Sequence, residues 1–75
     1  MTDWERARTT LQHVLREPGA LSTRSVELLR VAVLPQLDAA LALGTRPAFL
    51  PDAVAALGPD PELARAEAHL RAGLA

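Results

Sequence analysis

Apolar side chains in this chain recur at spacings of three and four, the signature of helices that bury one face. Trp4, Ala7, Leu11 and Val14 make the first such stripe, widened by Leu15. Thr2-Asp3-Trp4-Glu5 precedes it as a capping box, with Thr2 as N-cap and Glu5 reaching back from the third helical position. Glu17-Pro18-Gly19 closes it, because proline disfavours helical geometry in the residue before it. The pattern predicts a first helix from Asp3 to about Arg16, with Arg6, Thr9, Thr10, Gln12 and His13 facing water.

The segment from Ser22 to Gly44 behaves differently, since its apolar residues fall on nearly every side. Advancing by about 100° per residue separates three sectors. Val26, Leu29, Val33, Leu37 and Ala40 form one apolar face. Leu28, Ala32, Ala39 and Leu43 form a second, with Gln36 between the two. Glu27, Arg30 and Asp38 mark a polar third, into which Leu34 and Leu41 also fall. Pro35 removes one backbone hydrogen bond and clashes with the preceding turn. The expectation is a long second helix from about Thr23 to Leu43, kinked at Pro35 or split there into residues 23–34 and 35–43, with Ser22 or Thr23 as its N-cap and Gly44 just past its end.

Thr45 to Pro51 is a connection with two prolines and the only Phe, Phe49. A short helix is predicted from Pro51 through Leu57, stopped by Gly58-Pro59. Asp60-Pro61-Glu62 then supplies an N-cap, a proline at the first helical position and an acidic first turn. The fourth helix runs to about Ala72 with Leu63, Ala66 and Leu70 on one face, and Gly73 marks a fraying end. Its segment PELARAEAHLRAGLA resembles one helix of a tetratricopeptide repeat, but the rest of that pattern is missing and the resemblance implies no function.

The fold expected is all-α, a compact bundle of four helices, or five if Pro35 splits the second. Residues 1–75 form a single helical domain. The long second helix is central, helices one and four cover its two apolar faces, and the loop around Phe49 plugs one end. Composition agrees. Ala and Leu are abundant, whereas β-branched and aromatic residues are few. The absence of Lys, Ile, Asn and Tyr points to a GC-rich genome rather than to chemistry.

At 75 residues the chain is near the lower limit for independent folding, and a core of this size supplies only a few kcal/mol of net stability. Without cysteine it has no disulfide, thiolate zinc site or thiol nucleophile. Oligomerisation is the remaining common device. A net charge of −1 argues against binding by release of many phosphate counterions. The strongest apolar stretch, Val31 to Leu43, is broken by Gln36 and Asp38 and is shorter than the roughly 20 residues of a membrane-spanning helix. A cytoplasmic protein without a membrane partner is the expectation.

No residue pattern here carries catalysis. His13 and Glu17 have i,i+4 spacing, but no second pair converges on them to complete a metal site. Ser22 and Ser25 occupy a helix start, where capping explains a serine. Glycine-rich phosphate loops are missing, so no catalytic residue, metal or cofactor is assigned. What remains unexplained is Leu34 and Leu41 in a polar sector, with Val31 beside them. They suit either internal packing or an interface.

The leading expectation is therefore a non-enzymatic protein–protein interaction module, a homodimer or a small subunit or adaptor, with Val31, Leu34 and Leu41 as candidate interface residues. The alternative is a helix–turn–helix DNA-binding regulator using residues 51–72, with Arg65 and Arg71 as contacts.

Overall fold

A computed structural model describes residues 2–75 and contains four helices and no strand among them. Helix α1 is Asp3–Arg16. Helix α2 covers residues 23–43 without a break, as Thr23–Leu28, a π-helical turn Leu29–Val33, and Leu34–Leu43. Helix α3 is Leu50–Ala55 and α4 is Pro61–Leu74. The radius of gyration is 11.1 Å, close to the roughly 11 Å of a compact chain this long.

The ends of the helices follow the capping chemistry. The Glu5 N–H donates to Thr2 Oγ1 at 3.1 Å, and the Thr2 hydroxyl donates to Glu5 Oε1 at 3.2 Å. Ser22 is the N-cap of α2, accepting from the Ser25 N–H at 3.1 Å. Asp60 caps α4 by accepting from the N–H groups of Glu62 and Leu63. Gly44 adopts the left-handed conformation with φ 71°, and the Thr45 N–H then returns to the Ala40 carbonyl at 3.0 Å. Helix α3 starts one residue earlier and stops two residues sooner than the sequence pattern predicts. Helix α4 continues through Gly73 to Leu74 rather than fraying at Ala72.

Pro35 neither splits α2 nor leaves it a regular helix. The Leu34 N–H reaches the Leu29 carbonyl, five residues back, immediately before the proline. In an α-helix the proline ring would strike the carbonyl of Val31, and a wider turn relieves that clash. A π turn holds about one residue more than an α turn, so everything after it is set back by about 100°. That rotation changes which side chains face inward. Leu34 joins Leu29, Val33, Leu37 and Ala40 in the core, and Leu41 packs against it. Ala39 and Leu43, expected on a covered second face, turn outward instead, Leu43 to 76 % exposure.

The rest of the core comes from Trp4, Ala7, Leu11 and Val14 of α1, from Leu50, Val54 and Leu57 at α3, and from Leu63, Ala66 and Leu70 of α4. Helix α4 packs chiefly against α1 and α3, so it does not cover the second face of α2 as the sequence suggests. Helix α1 covers the inner face of α2, and α3 lies against its π turn. One flank of α2 is left open beside α3. Among the described residues no helix is long and apolar enough to cross a membrane.

Candidate interaction surface

The three residues proposed from sequence as an interface are separated by the fold. Leu34 is 8 % exposed and belongs to the core, so of the two roles its sequence position allows, internal packing is the one the fold gives it and its place among the candidate interface residues is corrected. Leu41 is half-buried and packed on the same core. Only Val31, in the π turn, remains exposed. The reason is the rotation at Leu29–Val33, which a wheel drawn at constant pitch does not contain.

The open flank of α2 meets α3 in an apolar groove of about 260 Å³. Leu28, Ala32, Val33 and Gln36 form its α2 side. Phe49, Leu50, Ala53, Ala56 and Leu57 form the α3 side. Of this lining, Val33, Leu50 and Leu57 are buried, and Ala32, Ala53 and Ala56 leave the space open because a methyl group cannot fill the gap between two helices. At one end the Ser25 hydroxyl donates to the Leu57 carbonyl at 2.6 Å, tying the start of α2 to the end of α3. Leu50, at the inner edge of the groove, and Val54 anchor α3 by burying in the core. Gln36 is the only polar side chain along the groove.

Phe49 does not plug the bundle as its proline-flanked setting suggests. It stands at the groove with 55 % of its surface exposed, and Leu28 beside it is 41 % exposed. Single apolar side chains on a surface need no explanation, but an aromatic residue bordering an apolar groove is the arrangement found at recognition sites. The signal in the sequence was the Leu28-Ala32-Gln36 edge of the second α2 face. It reads as buried until α4 is known to pack elsewhere.

The arginines and the histidine considered as contacts or ligands from sequence have local partners. Arg65 pairs with Glu62 at 3.1 Å. Arg71 holds Asp52 at 2.9 Å and Glu67 at 2.8 Å, and hydrogen bonds to these two carboxylates raise its pKa above the ordinary arginine value. His13 Nε2 lies 3.6 Å from Glu17, and the described residues contain no cluster of three metal-ligating side chains. A second depression of about 350 Å³ lies by the turn into α4. Its two acids are occupied, Asp60 as the cap and Glu67 with Arg71. Compared with protein-family models, with curated proteins and with solved structures, the chain has no match.

Proposed function

We propose that this chain is a non-enzymatic helical interaction module, a homo-oligomer or a small subunit or adaptor, whose working surface is the α2–α3 groove. The observation that carries the reading is Phe49, more than half exposed at the border of an apolar groove with one polar side chain. Burial of a Phe or Leu side chain supplies roughly 1.5–3 kcal/mol, a large share of the reserve of a domain this small. Val31 lies on the same helix outside the groove, and Leu34 and Leu41 face the chain's own core instead. The proposal places the protein in the cytoplasm, where a chain without cysteine forgoes no disulfide.

The helix–turn–helix alternative has less support. Arg65 and Arg71, its candidate DNA contacts, each sit in ion pairs with acids on the same surface. A groove-entering helix presents free cations or amides to phosphates and base edges.

A photoreactive residue in place of Leu28, expressed in the native host, tests the module reading. Discrete protein adducts are expected from position 28, with none from a control probe at Arg65. Failure to form any adduct at position 28, or equal labelling at both positions, would exclude the groove as the working surface.

A further inference from the structure

We propose that the last turn of α4, residues 71–74, is a latch on Trp4 that opens while the rest of the fold stays intact. It lies apart from the α2–α3 groove and does not depend on the role given to that groove. Trp4 is the only tryptophan and is 7 % exposed. Gly73 lies against the pyrrole edge of its ring, where a Cβ would overlap Nε1 and Cδ1. The indole N–H is therefore enclosed, yet no acceptor among the described residues reaches it. A buried donor without a partner gives up its hydrogen bonds to water and gains none in return. Opening the latch restores them.

The two sides of this contact are unequally held. Trp4 stands in the first turn of α1, where Thr2 and Glu5 close the capping box, and Ala7 and Leu11 just beyond it are fully buried. On α4 the last fully buried side chain is Leu70. Arg71 and Ala72 are exposed, whereas Gly73 and Leu74 are partly buried, Leu74 packing on the edge of the core. Arg71 reaches Asp52 at 2.9 Å, but this pair stands in solvent, where ion pairs hold weakly. Glycine adds backbone freedom, and the carbonyls of a last turn lack partners within the helix. The turn is thus the side that yields. Its release bares Trp4 and Leu74 at the seam between α1 and α4 and leaves Leu63, Ala66 and Leu70 in place.

Hydrogen exchange of the intact chain in low urea tests the latch, with the single indole N–H as the probe. Its protection factor should be roughly tenfold or more below those of the Leu11 and Ala66 amides, because local opening is easier than global unfolding. Urea should barely alter it, since opening one turn exposes little surface, whereas the core amides should exchange faster as urea rises. Leu74→Ala should speed indole exchange and keep its weak urea dependence. Gly73→Ala should hold the latch open, so that acrylamide quenching of Trp4 rises while the helical circular dichroism and a cooperative melt persist.

An indole N–H as protected and as urea-sensitive as the core amides overturns the inference. So does rapid exchange of the amides at 72–74 beside a fully protected indole, which is fraying of a helix end without release of the ring. A folded Gly73→Ala chain whose indole is as shielded as the parent's overturns it as well.

Discussion

The indole of Trp4 lies so close to Gly73 that a Cβ on residue 73 would overlap its ring. This approach explains a glycine inside α4 at a helical, negative-φ position where glycine is otherwise a poor choice. On an exposed helix, alanine would stabilise by about 1 kcal/mol over glycine. Here overpacking costs roughly 1–3 kcal/mol, so Gly73→Ala should lower the urea midpoint. Phenylalanine at position 4 shortens the ring and removes the indole N–H, which is buried and has no acceptor among the described residues. In a Trp4→Phe background the loss should shrink or reverse, giving a coupling of about 0.5 kcal/mol or more. Simple additivity of the two changes would show that ring and glycine are not in contact.

Leu34 and Leu43 lie on one helix with opposite fates, 8 % and 76 % exposed. Leu34→Ala should destabilise by about 2–5 kcal/mol, enough to threaten the fold of so small a domain. Leu43→Ala should stay within about 0.5 kcal/mol of the parent. Thermal and urea melts of the pair measure this directly. Equal effects would mean that the residues after the π turn do not face as described.

The π turn itself can be tested by removing the residue it accommodates. Deleting exposed Val31 together with Pro35→Ala should let residues 23–43 close into a regular α-helix. Leu34, Leu37 and Leu41 would then keep their inward facing. The shortened chain should fold with its helical signal intact. Deletion of Ala39 instead lies beyond the π turn, within regular α-helix. It would rotate the residues that follow by about 100° and expose Leu41. That variant should melt at clearly lower temperature, and a reversed order of stability would contradict the role given to Leu29–Val33.

These residues also mark what was readable in advance. Helix starts at Thr2, Ser22 and Asp60 rest on local chemistry, a side-chain oxygen three residues or fewer from an unpaired N–H, and short sequence windows contain it. The same holds for the Gly44 stop and for the α1 and α4 stripes. Leu34 and Leu41 were misplaced because a constant 100° advance cannot register an extra residue in one turn. Pro35 was the available warning, and it was compatible with a kink, a split or a π turn. The groove was hidden for a different reason. Whether Leu28 and Ala32 are covered depends on where α4 packs, a non-local choice that no stripe on α2 encodes.

Arg65 and Arg71 offer the last discrimination, between a protein-binding and a DNA-binding surface. A reader of DNA gains affinity by releasing counterions from phosphates, so retention on duplex falls steeply with salt. Arg71 is held between Asp52 and Glu67, and Arg65 beside Glu62, which places acids where phosphates would have to approach. Each contact would have to break an existing ion pair and bring a carboxylate close to the DNA backbone. The chain should therefore pass through immobilised nonspecific duplex without retention at low salt, and Arg65→Ala and Arg71→Ala should elute identically. Salt-dependent retention weakened by either substitution would favour the helix–turn–helix reading over the groove.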